Sequence, residues 1–135
     1  MKNQDIRWKQ RLHNYEKAIL LLEKALQIPE PDIIQKAGII QFFEMAFELA
    51  WKLLKDYLEE QGFTDVQSPK NSLKKAFEVG IIADGHSWLQ LLADRNLSTH
   101  TYDEEKANEL EDLIRNQYFP LMRILYDYFK GKNEE

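Results

Sequence analysis

The chain's 135 residues suit a single domain, 1–135, and its 18 Lys+Arg against 23 Asp+Glu, net −5, argue against coating nucleic acid through counterion release alone. Hydrophobic residues at 44%, with 7 Phe, 6 Tyr and 3 Trp, exclude wholesale disorder, while only 5 Gly and 4 Pro exclude a many-stranded sandwich or barrel in favour of long helices. Without cysteine there is no disulfide, zinc–thiolate site, iron–sulfur cluster or thiol nucleophile.

In chain order, Met1–Arg11 is polar and lacks the apolar core of a signal peptide. The longest apolar run, Ala18–Leu22, falls far short of the roughly 20 residues that span a bilayer. The expectation is a cytoplasmic protein with no membrane contact. From a cap at Asp5, the residues Trp8, Leu12, Tyr15, Ile19, Leu22 and Leu26 recur at steps of four and three, one stripe of a helix that Pro29 and Pro31 end. Asp32 with Gln35 has capping-box spacing and opens a long second helix to about Gln61, with Gly62 as its C-terminal stop. Ile39, Phe42, Phe43, Met45, Ala46, Leu49, Ala50, Leu53 and Tyr57 give that helix a face wider than one stripe. It is therefore expected to be central, or shared between a core and a second chain.

Ser68-Pro69 is a cap followed by proline at the first helical position, and Leu73, Ala76 and Phe77 are read as the inward side of a short third helix that Gly80 stops. Asp84 caps a fourth helix carrying Trp88, Leu89, Leu91 and Leu92. Thr101 with Glu104 is read as opening a fifth, through Ala107, Leu110, Ile114, Leu121, Leu125 and Tyr128, with a kink at Pro120 and a frayed tail from Lys130 to Glu135. The fold class is all-α: an up-and-down bundle of about five helices with a four-helix core.

Chemistry has few places to reside. His13 and His86 read as solvated surface groups, and no two histidines stand four apart as a helical metal pair. The acidic runs Asp103–Glu105 and Glu109–Asp112 complement the N-terminus of the fifth helix and solvate its outer face, although paired carboxylates also suit a divalent cation. No glycine-rich phosphate loop, GxSxG or HExxH is present, so no metal or cofactor is called for.

One segment differs from the rest: Asp94-Arg95-Asn96-Leu97-Ser98-Thr99-His100-Thr101-Tyr102. On an unbroken helix Arg95 and His100 would point about 140° apart, so they converge only if the helix ends between them or a second copy contributes. A guanidinium beside an imidazole suits phosphoryl chemistry, the first stabilising spreading negative charge and the second moving a proton near neutral pH. Residue types alone favour a plainer role, a polar interhelical loop with Thr101 as a cap and His100 buried and hydrogen-bonded.

Arg95-x4-His100-x-Tyr102 resembles the Arg-x4-His-x-Tyr motif of the HEPN superfamily, in its minimal branch paired with small nucleotidyltransferases. The likeness extends in order through Phe43–Lys52 on the long helix, Ser68-Pro69 with Ala76–Ile82, Asp84-Gly85 to Trp88, and Asp94-Arg95-Asn96. It covers the chain from about Asp5 to Phe129. The resemblance implies an all-helical homodimer whose motifs face each other across the dimer cleft, and a nucleotidyltransferase encoded nearby as partner. It implies Arg95 and His100 as a ribonuclease pair, Asn96 as the residue that orients the site, and Tyr102 as the acceptor of AMP.

Two functions follow. In one, the chain is the metal-independent ribonuclease toxin of a toxin–antitoxin pair, with RNA as substrate. In the other, it is a non-catalytic subunit that presents a nucleotide or other substrate to the transferase. The complete Arg/His/Tyr set favours the first, and the acidic balance the second.

Overall fold

The computed structural model describes residues 6–96, 98 and 102–135. Among them every regular element is helical: α1 (Arg7–Leu26), α2 (Ile33–Glu60), α3 (Pro69–Glu78), α4 (Gly85–Arg95), α5 (Glu104–Leu113) and α6 (Phe119–Asn133), with a π-helical turn, Ile114–Tyr118, joining the last two into one rod. The bundle thus has five rods. Asp5 lies outside the described residues; α1 starts at the cap position Ile6, which makes no side-chain capping bond.

The stripe read along α1 is the buried one, Trp8, Leu12, Tyr15, Ile19 and Leu22 all facing in, with Leu26 half-buried at its end. The Tyr15 hydroxyl is fully enclosed and donates to the Met122 carbonyl at 2.8 Å, tying α1 to α6. Burial holds that phenol well above its ordinary pKa. α2 is the central rod, packed against α1, α3, α5 and α6. Its start has the full capping box: Asp32 accepts from the Gln35 N–H, and the Gln35 side chain accepts from the Asp32 N–H. Met45 is the exception on its apolar face, at 41% exposed.

α2 and α3 end alike. Gly62 (φ +97°) and Gly80 (φ +86°) occupy the left-handed position after each helix. Their N–H groups bond Glu59 and Phe77, while those of Phe63 and Ile81 reach back to Leu58 and Ala76. Both stops are complete Schellman motifs. Ser68 and Asp84 cap α3 and α4 by accepting from the N–H groups of Asn71 and Ser87. Hydrogen bonds from the Ser87 side chain and backbone hold the Asp84 carboxyl below its usual pKa.

Several expectations change. Phe77 does not point into the core: it is 53% exposed and lies over the start of α4, where a β-carbon on Gly85 would sit 2.8 Å from its ring. Ser72 takes its inward place, donating its hydroxyl to the Val66 carbonyl at 2.6 Å. Thr101 lies outside the described residues, and the cap of α5 is Asp103, which accepts from the N–H groups of Glu105 and Lys106. The tail is ordered further than expected, with α6 continuing to Asn133.

The break expected at Pro120 appears as the π-helical turn. Proline has no N–H for the carbonyl four residues back and its ring presses on that carbonyl. Here the chain widens, and the Phe119 N–H bonds Ile114 five residues back. One extra residue in a turn rotates everything after it by about 100°. The inward face of α6 is therefore Met122, Leu125, Tyr126 and Phe129, and Tyr128 faces out.

Candidate functional site

The motif segment begins where α4 ends. Arg95 is the last residue of α4 and Asn96 its C-cap, exposed, with its N–H on the Ala93 carbonyl at 3.2 Å. Arg95 lies on α2: its Nη2 is 3.4 Å from Glu48 Oε2 and its Cζ stands 5.4 Å from the centre of the Phe47 ring. The side chain is 28% exposed, yet its Nε is enclosed and has no hydrogen-bond partner among the described residues. Ser98 is buried, and its hydroxyl bonds Glu44 and lies 2.7 Å from the Arg95 carbonyl.

Behind Arg95, the buried Asp94 accepts from the Tyr118 hydroxyl and, at 3.4 Å, from Gln90 Nε2. Tyr118 belongs to the π-helical turn and stacks on Phe43 of α2, ring centres 5.9 Å apart. Burial first, then the hydrogen bond to Asp94 and its charge, push the Tyr118 hydroxyl well above its ordinary pKa. The widened turn thus delivers the phenol that locks the end of α4 in place. Tyr102 sits in the turn just before the Asp103 cap and is 82% exposed.

Of the four residues read from the sequence, the structure describes Arg95 at the end of α4 and Asn96 and Tyr102 between α4 and α5; His100 lies outside the described residues. Arg95 and Asn96 are adjacent at the end of α4, and Tyr102 is presented to solvent from the start of the next element. His13 and His86 are exposed, as expected. Among the described residues no three carboxylate or imidazole groups come together as a metal-binding cluster.

Sequence reasoning singled out the segment that holds Asp94 and Ser98 without giving either a role, and passed over its supports Glu44, Glu48 and Tyr118. A signal did exist for the first two, since acidic residues four apart interrupt an otherwise apolar stretch, Phe43-Glu44-Met45-Ala46-Phe47-Glu48-Leu49. Tyr118 carried none, because its inward direction depends on the π-helical turn.

Residues 10–130 match the family model described as nucleotidyltransferase substrate binding protein like. The chain belongs to that family. It is 38% identical over 106 residues to a Haemophilus influenzae protein named probable ribonuclease HepT, covering 70% of this chain and 73% of the relative. Its fold matches a Haemophilus influenzae structure described as revealing the fold of a substrate binding domain of a nucleotidyltransferase (TM-score 0.78, 28% identity, 88% of this chain and 98% of the other). It also matches a crystal structure from Thermus thermophilus (TM-score 0.75, 32% identity, 82% and 94% covered). The chain is thus a nucleotidyltransferase-associated HEPN protein, as the motif order implied. Among the described residues no helix is long and apolar enough to cross a membrane.

Proposed function

We propose that this protein is a metal-independent endoribonuclease, the toxin of a pair whose nucleotidyltransferase partner silences it by attaching AMP to Tyr102. In the cleavage step a ribose 2′-oxygen attacks the adjacent phosphorus, the bond to the next nucleotide's 5′-oxygen breaks, and a 2′,3′-cyclic phosphate and a 5′-hydroxyl result. His100 takes the 2′ proton or returns one to the leaving oxygen, and Arg95 stabilises the charge on the phosphoryl oxygens. Asn96, next to Arg95, orients the site.

The observation that carries this reading is the contrast between Arg95 and Tyr102. Arg95 is held against α2 with part of its side chain still exposed, and Tyr102 is largely exposed a few residues on. A phenol so exposed is open to a modifying enzyme. An AMP group there would bring a negative phosphodiester and a base close to the guanidinium that an RNA phosphate needs. The relative named probable ribonuclease HepT supports the enzymatic half of the reading, and the family description supports the partner.

The active form is a two-fold homodimer with the two motifs facing each other, the commonest closed arrangement. Supporting it is the stripe Phe42–Met45–Leu49 on α2, half-buried or exposed and on the same helical stretch as Glu44 and Glu48. The second reading, a non-catalytic subunit that binds a nucleotide or substrate for the transferase, is favoured by one observation: Arg95 is already paired with a carboxylate, in a chain of net charge −5.

The deciding experiment incubates the purified protein with RNA in EDTA and analyses the ends. Cyclic phosphate ends are expected, falling about 10²–10⁴-fold in His100→Ala and about 10²–10³-fold in Arg95→Ala. Cleavage that requires a divalent metal, or that persists in both variants, rejects the mechanism. Intact nucleotide binding with no cleavage of any RNA selects the binding subunit.

A further inference from the structure

Glu44 and Glu48 stand four apart on α2 and so project from one side of the helix, one turn from each other. Each reaches the motif segment at a different point. Glu48 meets the Arg95 guanidinium at 3.4 Å, and Glu44 bonds the hydroxyl of the buried Ser98. Arg95 is the last residue of α4, and Ser98 lies three positions beyond it. A single turn of α2 therefore holds both.

The Glu48 carboxylate is itself constrained. Its Oε1 accepts from the Trp51 indole N–H at 3.2 Å and lies 3.8 Å from Lys52 Nζ. The Arg95 guanidinium has the Phe47 ring at 5.4 Å and an enclosed Nε without a partner among the described residues. A planar group held at one edge by a carboxylate, with an aromatic ring beside it, has few orientations left, while the part of the side chain that stays exposed can still meet an anion. Stability alone does not explain this arrangement. An exposed ion pair contributes little, and a negative charge beside a phosphate-binding arginine weakens the binding of phosphate.

We propose that Glu48 is a positioning residue that aims Arg95 before RNA arrives, and that Glu44 does the same for Ser98. The proposal rests on the ribonuclease reading. Removing the Glu48 charge then has two effects of opposite sign. The guanidinium loses its aim, which slows the chemical step, and RNA loses a repelling neighbour, which tightens its binding.

The test is steady-state cleavage of a defined single-stranded RNA by the full chain. Glu48→Gln is expected to lower kcat about tenfold, a misplacement effect, and to lower KM about two- to threefold, the effect of one unit charge several ångström away in water. A variant that merely folds poorly would lower kcat with KM unchanged. Glu48→Asp, which keeps the charge but withdraws it by one methylene, should fall between wild type and Gln, and serves if the Gln variant does not fold. Glu44→Gln should lower kcat without lowering KM, because its carboxylate meets Ser98 and not the arginine. In an Arg95→Ala background Glu48→Gln should change kcat less than about twofold, since positioning acts only through the arginine. An unchanged kcat in Glu48→Gln, or the same tenfold loss without Arg95, overturns the proposal.

A second readout does not depend on cleavage. The Arg95 Nε–H signal in a ¹⁵N NMR spectrum, identified by its loss in Arg95→Ala, should exchange slowly with water in wild type and quickly in Glu48→Gln. Equal protection in both overturns the positioning role, whether or not RNA is cleaved. Protection lost on substitution, in a protein that cleaves no RNA, retains the role and rejects the ribonuclease reading instead.

Discussion

The end of the bundle where α1, α2 and α6 meet and the junction between α4 and α5 are built from opposite materials. At the first, Trp8, Tyr57 and Phe129 pack edge to face or tilted with ring centres 5.3–5.7 Å apart, and Trp8 Nε1 donates to Glu60 at 2.7 Å from the edge of the cluster. At the second, the connections are polar and paired: Glu44 with Ser98, Glu48 with Arg95, Asp94 with Tyr118. Apolar packing is non-directional and scales with buried area. Polar pairs define direction, and each is costly to leave half made. The aromatic end supplies stability, whereas the junction supplies geometry. A site that must aim a guanidinium needs the second kind of construction.

That contrast can be broken, beginning where the effect is largest. Phe129→Ala empties a fully buried site in the aromatic cluster and is expected to cost about 3–5 kcal/mol in urea denaturation. Cleavage per folded molecule should stay at the wild-type level. A loss below about 1 kcal/mol would show that the aromatic end is not where stability resides.

Tyr118→Phe probes the junction. The ring stays, but the buried Asp94 carboxylate loses its donor, for a cost of about 1–3 kcal/mol. Its pH dependence has a definite sign. The Tyr118 pKa is raised, so the folded state retains a proton that the unfolded chain gives up near pH 10. The stabilisation is complete below about pH 10 and is lost as pH climbs from there toward the folded value. The gap in stability between wild type and Tyr118→Phe should therefore be constant from neutral pH to about pH 9 and narrow above pH 10. A gap that widens in alkali would contradict the Asp94 hydrogen bond as its source.

The smallest expected effect lies far from both regions. Asp32→Ala removes one half of the capping box at an exposed helix start and should cost about 0.5–2 kcal/mol. Thermal melts measure it directly. RNA cleavage and the protection of the Arg95 Nε–H should not move, because neither depends on the start of α2.

Much of the fold was legible because it is local. The capping box at Asp32 and Gln35, the caps at Ser68 and Asp84, the glycine stops at 62 and 80 and the α1 stripe each depend on residues within about one turn of one another. The motif at Arg95, Asn96 and Tyr102 was legible for another reason: a compact run of polar side chains between two apolar helices stands out in one dimension. Phe77, by contrast, was placed inward by periodicity and found lying over Gly85, because the neighbouring helix brings a glycine there and Ser72 fills the inner position. Tyr128 was placed inward and found outside because one widened turn rotated the remainder of the rod.

What the sequence determined by itself, then, is the set of helices, where most of them start and stop, and which polar run between two apolar helices is the candidate site. Backbone hydrogen bonds, caps and turn glycines act over a few residues and need no partner from elsewhere. Tertiary structure alone decided which α2 carboxylate meets Arg95, which phenol meets Asp94, and how the last rod is phased. Glu48 is 47 positions from Arg95, and Tyr118 is 24 from Asp94. A contact across such a separation is set by how whole rods pack and by the phase that the π-helical turn gives the last rod; Pro120 marks the turn in the chain but not that phase.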